Sequence, residues 1–308
     1  MRSMYRAALG AAAVVLIGCT AACGGSDGGD GDDAARGGDT GRDSGGTGAV
    51  QAVQAAAEAT SEITSASFEM TMSGSQAATG GDTEMSGVMS WADGIAMDAT
   101  MSGDAFALTP EAPSEMRMVM LDDVMYMNLG ATFAAEFEGR EWMMMDIGAL
   151  VEESGDPTLQ EAMDLGFNEA NQDPAAQTGL LLQSPDIEAV GEETLDGVTV
   201  QHYQGTVSVE DALANNAGAE FLTEQERQEL VDAMNASGIE SYDIELWIDE
   251  NDFPVQIRQE FDSEMGPVTT EVRYTDLGAD VQVAAPEEGS YVDFMELMES
   301  MGAGVGDI

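Results

Sequence analysis

Cys19 and Cys23 are the only thiols in the 308-residue sequence, and Leu16-Ile17-Gly18-Cys19 suits one of them to a specific chemistry. Leucine at −3 and a small residue at −1 resemble the bacterial lipobox, whose cysteine receives diacylglycerol once a signal peptide is removed. Cys23 is the alternative anchor. Thr20-Ala21-Ala22 precedes it and Gly24-Gly25 follows, but threonine at −3 is a poor lipobox residue. A Cys19–Cys23 disulfide would have no folded element to staple. With no further cysteine, the folded part is expected to use neither disulfides nor thiolate-bound metal.

Methionine is the second unusual residue: 22 are present, and 14 of them fall between Met70 and Met145. Thioethers are flexible and polarizable, so three uses compete: plain core filling, a deformable wall around acyl chains, and a Cu(I) site. The Met-x-Met repeats coincide with alternate strand positions and lack neighbouring histidine, which weighs against copper. His202 is the only histidine, and no partners for a triad or a zinc site are legible around it. On a strand beside Tyr203 it reads as a packed or hydrogen-bonded residue. Asp249-Glu250-Asn251-Asp252 has the composition of a calcium loop but lacks its glycine and distant glutamate, so it reads as a hairpin turn. Trp91, Trp142 and Trp247 are expected at core or rim positions. The sequence carries no phosphate loop, nucleophile elbow or acid–base constellation, so neither catalysis, nor a cofactor, nor a resident metal is expected.

The elements that must position these residues follow from hydrophobic period. Arg2 and Arg6, then an apolar run from Ala7 to Ile17, form a signal peptide over residues 1–18, too short to span a membrane. Residues 19–48 form the lipidated cysteine and a Gly/Asp/Ser tether. Residues 49–301 are expected to make one domain, and residues 302–308 a tail. Ala49 to Ile63 has helical spacing at Val50, Val53, Ala57 and Ile63. From Ser67 the period becomes 2: Phe68, Met70 and Met72 alternate with polar residues, as do Ile95 to Met101 and Met116 to Met120. Further strands are expected at Met85–Trp91, Val124–Leu129, Trp142–Ile147, Ile187–Thr194, Val198–Val209, Tyr242–Asp249, Pro254–Asp262 and Val268–Leu277. Residues 147–183 read as helical or irregular, with a short helix from Ala175 to Gln183. Glu210–Ala236 reads as helical, and Tyr291 to Met301 as a short amphipathic helix. About ten strands with two helical insertions define an α+β fold whose wide antiparallel sheet must curl.

Charge narrows the partners. There is no lysine, and nine arginines face 59 acidic residues, a formal charge of −50 that becomes −52 when Arg2 and Arg6 leave with the signal. Such a chain repels nucleic acid and anionic head groups, so membrane attachment falls to the covalent lipid. Self-repulsion also predicts that salt stabilises the fold.

Motif order then points to a family. A helix precedes Ser65-Ala66-Ser67-Phe68; Gly197 to Gly205 ends in His202-Tyr203-Gln204-Gly205; Leu246-Trp247-Ile248-Asp249 is followed by Phe253-Pro254-Val255. Tyr274-Thr275-Asp276-Leu277-Gly278 leads to Val281-Gln282-Val283 and Pro286. Over roughly residues 50–297 this resembles the actinobacterial LppX/LprAFG-type lipoproteins of the LolA-like lipoprotein-carrier group. The resemblance implies a large curved antiparallel sheet, a half-open barrel, with helices on the concave face enclosing a hydrophobic lipid-binding cavity. The sequence departs from that group in its acidity, missing lysine and methionine content. The expected role is an exported, lipid-anchored protein on the extracytoplasmic face of the cell membrane, binding or carrying a lipid or acylated glycolipid. A cell-envelope sensor or scaffold with a protein partner is the alternative. Phe68, Met70, Met72, Met118, Met120, Val255, Ile257, Val272 and Tyr274 are the candidate cavity walls.

Overall fold

A computed structural model of the chain describes residues 44–75, 79–91, 94–103, 115–154, 174–214 and 223–300. The signal residues, Cys19, Cys23, most of the tether, Pro157 and the tail lie outside the described residues.

Twelve strands form one sheet: β1 (Ser65–Gly74), β2 (Thr83–Ser90), β3 (Ala96–Gly103), β4 (Glu115–Leu121), β5 (Val124–Asn128), β6 (Trp142–Asp146), β7 (Glu188–Leu195), β8 (Val198–Ser208), β9 (Ser241–Asp249), β10 (Pro254–Phe261), β11 (Val268–Thr275) and β12 (Tyr291–Asp293). Their order is β12-β6-β5-β4-β3-β2-β1-β11-β10-β9-β8-β7, so the sheet is open, with β12 and β7 at its edges. Every pairing is antiparallel except β12 on β6. Chain neighbours pair through short hairpins where turn residues sit. Asp196-Gly197 both adopt left-handed φ, 50° and 87°, as a two-residue type I′ turn between β7 and β8 requires.

The helices are α1 (Ser44–Thr60), α2 (Gly130–Glu136), α3 (Ile147–Ser154), α4 (Pro174–Leu180), α5 (Val209–Ala214), α6 (Glu224–Ala236) and α7 (Phe294–Ser300), with a 3-10 turn at Leu181–Gln183. Pro174 opens α4, where its missing N–H is harmless, and Pro185 follows the 3-10 turn. Helix α6 begins with a capping box: the Glu226 N–H donates to Thr223 Oγ1, and the Thr223 N–H donates to the Glu226 carboxylate.

Helices α1 and α4 pack on each other, with α1 against β7 and α4 against β10. Their apolar residues share one cluster with Tyr203, Val207, Ile244, Leu246, Ile257, Val272 and Tyr274, which all face the same side of the sheet. This inner face therefore carries the helical cover. Leu180 and Leu181 are sealed within it, each burial contributing roughly 1.5–3 kcal/mol.

Several elements differ from the sequence expectation. Helix α1 starts at Ser44 rather than Ala49 and ends at Thr60. Its buried stripe is Ala49, Val53, Ala56 and Thr60, while Val50 faces water. Small residues win that face because they let α4 approach closely. Thr60 avoids an unpaired buried hydroxyl by donating to the Ala56 carbonyl at 2.6 Å. Ile147 begins α3 instead of ending a strand, and Tyr291 opens β12 rather than a helix. Twelve strands replace about ten.

Tyr242 sits on β9 with 2% of its surface exposed and no hydrogen-bond partner for its hydroxyl among the described residues. Burial pushes its phenol well above the ordinary range. Its ring meets Phe261 edge-on at 5.7 Å, a contact phenylalanine would keep. Tyr242→Phe is therefore expected to stabilise the fold by about 1 kcal/mol, raising the melting temperature by about 2–4 °C in thermal unfolding. A lower melting temperature would show that the hydroxyl has a partner.

Candidate functional site

Strand register assembles the methionines into rows. Across the inner face, Ala66 of β1 is followed on successive strands by Met89, Met97, Met120, Met125 and Met145. A second row runs Tyr274, Phe68, Gly87, Ala99, Met118, Met127, Met143 and Val292. A third runs Tyr203, Leu246, Ile257, Val272, Met70, Met85, Met101 and Met116. With Met72 beside Thr83 and Thr270, thirteen of the fourteen clustered methionines lie on one face, and only Met144 points outward. The five gaps from β1 to β6 make the array about 24 Å wide.

No row contains a charged residue. The alternation of each strand sends Glu69, Glu84, Asp98 and Arg117 to the other side, where Arg117 pairs with Asp98 at 2.6 Å. Met89, Met97 and Met120 are buried; the other ten methionines of the array are half-buried. A half-exposed surface of unbranched thioethers can repack around apolar groups of varied shape without facing a charge.

The predicted wall residues divide into two sets. Phe68, Ile257, Val272 and Tyr274 are buried in the packed core, where Tyr274 lies edge-on to Phe253 and its hydroxyl reaches Gln177 Oε1 at 3.4 Å. Val255 packs partly against the same core, at a register irregularity between Pro254 and Gln256. Met70, Met72 and Met118 are half-buried in the array, with Met120 sealed in its floor. Met118 and Met120 stand three strands from β1, yet all of the nine except Met72 belong to, or pack against, one apolar cluster. Sequence reasoning missed as site residues Met85, Met101, Met116, Met125, Met127, Met143 and Met145. Their parity was visible, but cross-strand register sets which of them become neighbours.

The other chemically suggestive residues have structural tasks. His202 is stacked on Trp247, with ring centroids 4.3 Å apart, on the outer face. Its Nδ1 lies 2.9 Å from Glu193, while Nε2 lies 2.9 Å from Glu245 but outside hydrogen-bond geometry. The Trp247 indole N–H donates to Glu193 at 3.0 Å. That bond, then the one with His202, holds the Glu193 carboxyl below the usual carboxylate range. Asp249 closes the acidic turn on itself, accepting from the N–H groups of Asn251 and Phe253 at 2.9 Å. Trp142 lies outward beneath the Arg117 guanidinium at 5.8 Å. Among the described residues, no group of three His, Cys, Asp or Glu side chains is placed to hold a metal.

Fold and face together define an open antiparallel sheet with a helical cover over one half of its inner surface and a deformable thioether surface on the other. No family model matches the chain. A Streptomyces griseus protein described as an uncharacterized 31.2 kDa protein is 28% identical over 243 residues, covering 73% of this chain and 76% of that one. A candidate lipoprotein of Streptomyces coelicolor is 25% identical over 226 residues, covering 71% and 67%. Among solved structures, LprF of Mycobacterium bovis has a TM-score of 0.48 at 16% identity, over 79% of this chain and 99% of that one. The Mycobacterium tuberculosis lipoprotein LppX has a TM-score of 0.46 at 12% identity, over 77% and 99%. These lipoproteins are what the chain is similar to.

Proposed function

We propose that this protein binds or carries lipids or acylated glycolipids at the outer side of the cell membrane, without catalysing a reaction on them. Cys19, or Cys23 in its place, carries the lipid anchor; residues 19–48 are the tether and residues 49–301 the binding domain. One observation supports this reading above the rest: a chain of formal charge −50 sets thirteen methionines on one face of its sheet, in rows that among the described residues hold no charge from β1 to β6. Removing a sixteen-carbon tail from a bilayer forfeits about 12 kcal/mol, and only a comparably apolar surface offsets that loss reversibly.

The test is native mass spectrometry of residues 24–308, which keep all of α1 and lack both cysteines, purified without detergent, before and after organic extraction. The expected result is an acylated adduct that extraction removes. Met118→Asp sets a carboxylate among Ala99, Met127 and their neighbours, so uptake of added fatty acid should fall at least 100-fold, about 3 kcal/mol, with far-ultraviolet circular dichroism unchanged. A bare polypeptide mass and no uptake of added lipid would favour an envelope scaffold that binds a protein partner.

A further inference from the structure

A thioether differs from the aliphatic side chains that could fill the same pleats in one reaction: it accepts an oxygen atom from a two-electron oxidant. We propose that the methionine array is an oxidant-responsive surface, in which peroxide converts the half-buried methionines to sulfoxides and the polarised face releases its apolar ligand. The release step rests on the lipid reading above; the modification rests on the placement of the sulfur atoms alone.

The chemistry balances with hydrogen peroxide as co-reactant. A sulfur lone pair attacks one peroxide oxygen, the S–O bond forms as the O–O bond breaks, and the departing hydroxide leaves as water with the proton of the transferred oxygen. Sulfur loses two electrons and the peroxide gains them. Methionine sulfoxide reductases reverse the change, which makes it suited to signalling as well as to damage.

Geometry decides where this matters. Met265, at the β10–β11 hairpin, is 56% exposed and serves as a freely reacting reference outside the array. Met89, Met97 and Met120 are 3–7% exposed and are the protected reference. Between these extremes, Met85 lies directly between Met70 and Met101, and neither neighbour can donate a hydrogen bond to a new sulfoxide oxygen. Water drawn to that oxygen wets the face where an acyl chain would lie against it. Directly opposed side chains have Cβ atoms about 5 Å apart, so one sulfoxide disturbs the contact surface of both neighbours.

The experiment treats the intact protein with graded hydrogen peroxide, maps sulfoxide at each methionine by peptide mass spectrometry, and follows uptake of a fluorescent fatty acid alongside circular dichroism. Met265 should react first, Met85, Met101, Met116 and Met118 next, and Met89, Met97 and Met120 at least tenfold more slowly. Once the middle group has reacted, probe affinity should fall at least tenfold with the spectrum unchanged, and sulfoxide reductase should restore it. A variant with Met85, Met101, Met116 and Met118 all changed to Leu should, whatever its starting affinity, change less than threefold on treatment. Middle-group residues no more reactive than the sealed ones would overturn the modification. Unchanged affinity after their oxidation, or equal peroxide sensitivity in the Leu variant, would overturn the release step. No uptake by untreated protein would overturn the lipid reading and its release step together, while the sulfoxide map still decides the modification.

Discussion

Gly205→Val is expected to destabilise the protein by about 3 kcal/mol, lowering the melting temperature by about 6–12 °C, because it drives a wedge between the sheet and its helical cover. A Cβ at Gly205 of β8 would stand 2.9 Å from both Leu181 Cδ1 and Ser184 Cβ, and closer still to Ser184 Oγ. Neither neighbour can give way easily. Leu181 is fully buried, and Ser184 is held by a brace: its hydroxyl donates to Asp186 at 2.6 Å, and the same carboxylate accepts the Thr206 N–H of β8 at 2.9 Å. These bonds, the Ser184 hydroxyl first, hold the Asp186 carboxyl below the usual range. A depressed carboxyl contributes stability that is present above the unfolded value near 4 and is lost as pH falls through the lower folded value. The valine variant should therefore show faster hydrogen exchange across residues 174–184 at neutral pH, before global unfolding. A melting temperature within 2 °C of the parent would mean that the cover shifts freely and that Leu181 is not pinned to β8.

Gly205 also shows where sequence reasoning stops. Its place in His202-Tyr203-Gln204-Gly205 was readable as part of a strand, but nothing local says that a leucine from twenty-odd residues upstream needs the missing side chain. The strands themselves were legible because their outward residues are polar. Phe68, Met70 and Met72 alternate cleanly with Glu69, Thr71 and Ser73 in the structure as in the sequence. Helix α1 was legible as a helix, and Val53 and Ile63 pack inward as their spacing indicates, but Val50 faces water. Packing selects Ala49 and Ala56 in its place, since close approach outweighs side-chain size at a helix crossing. Parity likewise assigned Tyr274 and Met118 to one side of the sheet without revealing that one is sealed core and the other half-exposed. That distinction depends on where the helices land, a non-local property.

Raising sodium chloride from 10 mM to 1 M is expected to raise the melting temperature by about 10 °C. At 10 mM the Debye length is about 30 Å, comparable to the domain, so most of the acidic residues repel one another; at 1 M it is about 3 Å. Two unit charges 10 Å apart in water cost about 0.4 kcal/mol, so the equivalent of ten such pairs, screened away, restores about 4 kcal/mol. Local pairing offsets little of this. Arg117 neutralises Asp98, Arg258 bridges Glu245 and Glu260, and Arg273 lies near Asp196 and Glu271, leaving most carboxylates of the described residues without a cation. Strong acid acts against the fold. Asp186, Glu193 and Glu226 have values lowered by hydrogen bonds they accept in the folded state, and the stability they contribute disappears as each is protonated. That fall in strong acid should persist at 1 M salt, because screening removes long-range repulsion but not hydrogen bonds at 2.6–3.0 Å. A melting temperature that stays flat with salt at pH 7 would show that the negative charge is spread too thinly over the folded surface to oppose folding.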